Sequence, residues 1–202
     1  MRLKEYITES IDNNTIDKFM NNVEKNCRHW LSAIKNCKNK KLYRGYNGSD
    51  IDKKNVRTDR KPTDMSSSSH VILDDMFYKK FGWQPRSEGL FATTQIGVTW
   101  QYGQPGLCFP AGNFKYIWNP HIVDLYSHIS NYGMIDNVDN YTDKNLHKYM
   151  NKSNCEIMIK CKSYYIINGL SLITHLKTVE SEKYLRLTLE EAFDIWIKEN
   201  LL

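Results

Sequence analysis

The chain has 202 residues, with 28 lysines and arginines against 23 aspartates and glutamates, a net charge of +5. At roughly 100–200 residues per domain this is one domain, able to bury roughly 70% of its unfolded surface without a disulfide or metal to help it fold. A hydrophobic fraction of 41% and a charged fraction of 25% exclude a disordered tail or a fibrous repeat, and no apolar run approaches the ~20 residues that a membrane-spanning helix needs.

In chain order, Leu3, Tyr6 and Ile7 stand at helical spacing within residues 1–9, and a polar break follows at Asp12-Asn13-Asn14. Arg2-Leu3-Lys4-Glu5 leads into no apolar stretch of the secretory-signal kind. Ile16, Phe19, Met20, Val23, Cys27, Trp30, Leu31 and Ile34 recur at three- and four-residue steps, which predicts one amphipathic helix. Leu42-Tyr43-Arg44-Gly45-Tyr46 reads as a short strand ending in a turn. Residues 47–68 carry almost no apolar side chain and read as a long loop, a kind of segment that in compact domains is usually functional or mobile. A serine cap then opens a helix with Val71, Leu73, Met76, Phe77 and Phe81, which Gly82 is placed to stop.

Further along, Glu88-Gly89-Leu90-Phe91-Ala92-Thr93-Thr94 reads as a strand ending in two hydroxyls, with Thr94 capping a short helix that runs to Tyr102-Gly103. Leu107-Cys108-Phe109-Pro110 and Phe114-Lys115-Tyr116-Ile117-Trp118 look like a pair of strands around Gly112-Asn113. Pro120 suits the first turn of a helix with Ile122, Leu125, Tyr126 and Ile129. Residues 130–152 are polar, with a weak helix near Leu146 and Met150. Cys155-Glu156-Ile157-Met158-Ile159-Lys160-Cys161 and Tyr164-Tyr165-Ile166-Ile167 are strand candidates. Thr188-Leu189-Glu190-Glu191 matches a capping box and opens a last helix with Phe193, Trp196 and Ile197. The expected fold class is α+β, with helices at both ends and short strands between.

The cysteines are odd in number, five, and form no Cys-x-x-Cys pair. A zinc site or a disulfide framework is not expected, and a reducing compartment is the simplest reading. Lysine and arginine are spread along the chain, which favours a solvated surface over a dedicated nucleic-acid face.

Three places break the local pattern. Arg44 lies inside a strand between tyrosines, where it is either an edge charge or an anion clamp, and Gly45 beside it lets a ligand approach the backbone. Thr93 and Thr94 end a strand, either as helix-capping groups or as hydroxyls presented in a cleft. Glu156 opens an apolar strand, where a carboxylate is either solvent-facing or held for chemistry.

Taken together and in order, Tyr43-Arg44-Gly45, Phe91-Ala92-Thr93-Thr94 with Tyr102-Gly103 downstream, and Glu156-Ile157-Met158-Ile159 resemble the ADP-ribosyltransferase superfamily of the Arg, Ser-Thr-Ser, Glu type. The resemblance covers residues 42–167, and residues 56–126 are also similar to tailed-phage proteins with this set of motifs. It implies a split core of two small, mainly antiparallel sheets. It also implies NAD+ as a substrate, with no metal. Arg44 would contact the pyrophosphate, Gly45 the nicotinamide amide and Thr93 the nicotinamide ribose. Thr94 would help to orient Glu156, Tyr102 would stack on nicotinamide, and Glu156 would be the catalytic carboxylate. Asn154 stands where many arginine-modifying members have a second glutamate, so arginine is not the expected acceptor. A host protein is the expected acceptor, with nucleic acid, or simple NAD+ hydrolysis, as alternatives.

Residues 1–10 carry two readings. They are the first turns of a helix on a single domain spanning residues 11–202, or they resemble the capsid-targeting segments of phage internal proteins, which a prohead protease cuts after a triplet such as Ile7-Thr8-Glu9. The second reading implies a protein packaged in the virion and delivered to the host cytoplasm. Two other classes stand beside the enzyme: a non-catalytic internal virion protein with the same fold, and a nucleic-acid binder resting on basicity alone. No membrane partner is expected.

Overall fold

The computed structural model describes residues 13–48, 51–61, 65–132, 138–152, 154–170, 172 and 188–201, so the segment over residues 1–10 lies outside the described residues. The helix expected over residues 16–34 is two helices, α1 (Asn13–Asn26) and α2 (Arg28–Ile34). They part at Cys27, whose φ of −107° and ψ of 15° leave the helical region and whose thiol donates to the Phe109 carbonyl at 3.4 Å. α3 (Ser67–Phe81) is delimited by local chemistry. The Ser66 hydroxyl accepts from the Ser69 N–H, and Gly82, at φ 73°, ends the helix in the left-handed region that favours glycine. The last helix, which becomes α8 (Leu189–Leu201), opens on the expected box, with Thr188 N–H donating to Glu191 and Glu191 N–H donating back to the Thr188 hydroxyl.

The strands are β1 (Tyr43–Tyr46), β2 (Ile51–Asn55), β3 (Leu90–Thr93), β4 (Gln104–Ala111), β5 (Lys115–Trp118), β6 (Glu156–Lys160) and β7 (Ser163–Asn168). Between them come α4 (Pro85–Glu88) and α5 (Ile96–Thr99), which continues into a 3₁₀ turn at Trp100–Tyr102, then α6 (Leu125–Tyr132) and α7 (Leu146–Lys152). The fold is α+β, built on a seven-stranded sheet in the order β2-β7-β4-β1-β3-β6-β5, with every pair antiparallel. The β1–β3 junction rests on a single registered pair, Tyr43 with Thr93, whereas the other strand pairs carry four to six. The sheet therefore divides into a four-stranded and a three-stranded half that meet at β1 and β3.

Three further expectations change. Residues 47–68 are not all loop, since β2 pairs with β7 from Ile51–Ile167 to Asn55–Ser163. β2 is an edge strand with no fully buried residue on either face, and it carries Lys53 and Lys54, so it shows little apolar signal. β4 and β5 both exist but do not form a hairpin, because β4 pairs with β1 and β7 while β5 pairs with β6 at the far edge, where Trp118 also bridges Thr142. α6 starts at Leu125 rather than near Pro120, and the Asp124 carboxylate caps it by accepting from the Ser127 N–H at 2.7 Å.

Two apolar clusters hold the sheet. The larger joins Phe19 and Val23 of α1, Trp30 of α2, Tyr149 of α7 and Trp196 of α8 to sheet residues that include Phe109, Ile157 and Ile159. The smaller joins Leu73 and Phe77 of α3 and Leu125 of α6 to Ile117 and Met158. Ile157 and Ile159 fall in one cluster and Met158 in the other, as alternation along a strand requires. β6 is thus covered on both faces, which is why it reads as a continuous apolar run. All five cysteines are buried, and none is in a disulfide. Burial pushes the thiols of Cys27, Cys108 and Cys161 up to about 12, so they pack as small hydrophobes.

Candidate active site

The strand order brings the sequence candidates together. β1, β3 and β6 are successive neighbours in the sheet, and Thr93 of β3 is the register partner both of Tyr43, next to Arg44, and of Glu156 at the start of β6. Arg44, Gly45, Thr93, Tyr102 and Glu156 all line one cleft at this junction. A neighbouring, wider space shares Arg44, Phe91 and Glu156 with it. Thr94 does not join the others. It is buried, lies outside the lining of the cleft, and does not cap the following helix, whose N-cap is Gln95.

Each side chain is held by named neighbours. Arg44 Nη1 donates to the Phe91 carbonyl at 2.7 Å, tying β1 to β3 where the sheet has only one registered pair. The Arg44 guanidinium also lies 5.9 Å from the centre of the Tyr164 ring. Thr93 Oγ1 accepts from the Gln95 N–H at 3.1 Å, which leaves its own proton to donate. Gly45 is required sterically, because a Cβ there would sit 2.6 Å from Tyr102 Cβ and 2.8 Å from the Thr99 carbonyl. The close approach that the sequence suggested at Gly45 is made by the protein's own 99–102 turn, and Tyr102 is thereby carried to the cleft as an exposed residue.

Glu156 is the electrostatic centre. Its backbone N–H donates to the Val123 carbonyl at 2.9 Å, while side-chain Oε1 is shielded from solvent and has no hydrogen-bond partner among the described residues. Burial raises the carboxyl from its ordinary 4.5 to about 7. The Asp124 carboxylate pushes the same way, while Arg86, Arg60 and Arg44 pull against both. An unpartnered carboxylate oxygen in a low-dielectric cleft is a costly feature that an apolar core would not keep.

Three further residues line the wider space: Arg60, which the sequence offers as a phosphate contact or a solvated charge of the 47–68 loop, and Arg86 and Asp124, for which it offers no site role. Arg60, from the segment after β2, and Arg86, from α4, both lie over the Phe91 ring, at 4.1 and 5.5 Å from its centre. Arg60 Nη1 and Arg86 Nε are shielded donors with no partner among the described residues. Burial, with Arg44 and Arg86 nearby, lowers Arg60 from 12.5 to about 10. Arg86 is set in place by Asp74 of α3, buried at 2% exposure, whose carboxylate accepts from the N–H groups of Arg86 and Ser87 at 2.8 and 3.0 Å and from the Ser87 hydroxyl. Asp124 is the third, a helix cap that also faces Glu156 across the cleft. Its capping pattern was legible in principle, as an aspartate just ahead of an apolar helical run.

Among the described residues no group of three or more His, Cys, Asp and Glu side chains could hold a metal ion, and no helix is long and apolar enough to cross a membrane. Neither the known protein-family models, nor curated proteins, nor solved structures give a match to this chain.

Proposed function

We propose that the protein is an NAD-dependent ADP-ribosyltransferase, which moves ADP-ribose from NAD+ to an acceptor and releases nicotinamide. The observation that carries this reading is the convergence of Arg44, Thr93 and Glu156, from three neighbouring strands, on one cleft where a Glu156 oxygen is shielded and unpartnered. In the reaction the bond between the ribose C1′ and the nicotinamide nitrogen breaks, and its electron pair leaves with nicotinamide. Positive charge then develops on the ribose. Ionised Glu156 stabilises that charge in the transition state and accepts a ribose hydroxyl, a form of catalysis that is strongest where water is excluded. Thr93 has a hydroxyl proton to donate to the same sugar, Arg44 orders the junction of the two half-sheets, and Tyr102 offers nicotinamide an exposed ring. The acceptor's nucleophile closes the new bond to C1′ and gives up its proton to solvent.

The similarity of residues 1–10 to capsid-targeting segments supports a phage virion protein delivered with the genome, which makes a host macromolecule, a protein first and a nucleic acid second, the acceptor. Water in the acceptor's place would make the protein an NAD+ glycohydrolase. Nicotinamide release from NAD+ by wild type and by Glu156→Gln, with and without bacterial lysate, tests the reading. Wild type should turn over, Glu156→Gln should lose on the order of 100-fold or more, and lysate should stimulate if the acceptor is a host macromolecule. No release, together with no NAD+ binding, refutes it in favour of a non-catalytic virion protein.

A further inference from the structure

The cleft contains more positive charge than the sugar chemistry uses. Arg44, Arg60 and Arg86 line it against Glu156 and Asp124, and none of the three arginines forms an ion pair among the described residues. Guanidinium groups of like charge repel at this range, and each shielded N–H without an acceptor adds desolvation cost. Arg44 already commits Nη1 to the Phe91 carbonyl. The unpartnered donors are Arg60 Nη1 and Arg86 Nε, on two guanidiniums mounted over one phenylalanine ring. Arg86 is anchored from behind its own backbone by buried Asp74, so its position is set before any ligand arrives. Paired, oriented guanidinium donors in a recess match the oxygens of a phosphate or diphosphate group.

We propose that Arg60 and Arg86, mounted on Phe91, form the seat for a diphosphate group, and that Arg44 is a positioning residue that ties β1 to β3 rather than the main phosphate contact. The anion seat stands on the geometry of these arginines; that its ligand is the diphosphate of a dinucleotide rests on the transferase reading.

The test is calorimetric titration of inorganic pyrophosphate and of ADP-ribose into the full chain. The proteins are wild type, Arg60→Gln, Arg86→Gln, Arg60→Lys and Glu156→Gln, with a thermal melt of each to show that it folds. Wild type should bind both ligands, and Glu156→Gln should still bind pyrophosphate, which has no ribose for Glu156 to contact. Each Arg→Gln change should weaken binding about 10- to 100-fold, and Arg60→Lys, which keeps the charge without the fork, should fall between. Should one Gln variant fail to fold, the other and Arg60→Lys still decide. Equal pyrophosphate binding by wild type and the folded arginine variants, or none by wild type, overturns the seat. Pyrophosphate binding that depends on Arg60 and Arg86, without nicotinamide release from NAD+, supports the seat and refutes the transferase. Release that ignores both substitutions refutes the seat and leaves the transferase standing.

Discussion

Replacing Glu156 by glutamine should stabilise the protein at the same time as it removes turnover. The folded state holds the Glu156 proton up to about 7, against an ordinary 4.5, with burial as the largest cause. Ionising it in the folded protein is therefore harder than in the unfolded chain, by about 3 kcal/mol at about 1.4 kcal/mol per tenfold change in proton affinity. Below about pH 4.5 both states are protonated and this penalty is absent. It grows as pH rises from 4.5 to 7, where only the unfolded chain has ionised, and it is complete above 7. Glutamine keeps the shape and never ionises. At pH 8 the variant should exceed wild type by up to about 3 kcal/mol, or about 6–12 °C in melting temperature for a chain of this size, while at pH 4 the two should nearly coincide. Urea denaturation across pH 4–8 measures both. A variant no more stable than wild type at pH 8, or a gap that does not change with pH, would show that the folded carboxylate is well solvated or paired, and the argument for a charge held under strain would fail.

Nicotinamide release at NAD+ well below saturation, which reports the free enzyme, should rise with pH through about 7, because the carboxylate form of Glu156 is the competent one; a flat profile across pH 5.5–8.5 would exclude it as the titrating group. Gly45→Ala should cost about 1–3 kcal/mol in chemical denaturation, since its methyl would meet Tyr102 Cβ at 2.6 Å and the turn must move; an unchanged midpoint would contradict that contact. Asp74→Ala removes the acceptor for two backbone N–H groups and the Ser87 hydroxyl. It should cost about 2–4 kcal/mol and weaken pyrophosphate binding through Arg86, and loss of stability with binding unchanged would separate α4 from the anion seat.

Where structure is local, the residues themselves declare it. Ser66 and Gly82 bracket α3, and Thr188 with Glu191 opens α8, because a cap involves only groups within one turn of chain. β6 showed itself through the run Ile157-Met158-Ile159, buried on both faces. The resemblance placed Arg44, Thr93 and Glu156, and the fold brings those three to one cleft; Thr94, one residue further, falls outside it. β2 escaped because an edge strand reading Ile51-Asp52-Lys53-Lys54-Asn55 takes its order from pairing with β7, more than a hundred residues away, and not from its own pattern.

The sequence by itself determined both ends of α3, the start of α8, the strands with a buried face and the α+β class, all of them set by propensity, capping and hydrophobic period over a few residues. Only the tertiary structure decided the strand order, and with it the meeting of β1, β3 and β6 at a single registered pair. The same order carried β5 away from β4 to the far edge, and set Arg60 and Arg86 on the Phe91 ring facing Glu156. The reason is physical. A caps-and-period signal is written within a turn or two of chain, but a buried carboxyl among three arginines exists only once segments up to about a hundred residues apart have closed on one another, and no stretch of chain records which partners will exclude water from it.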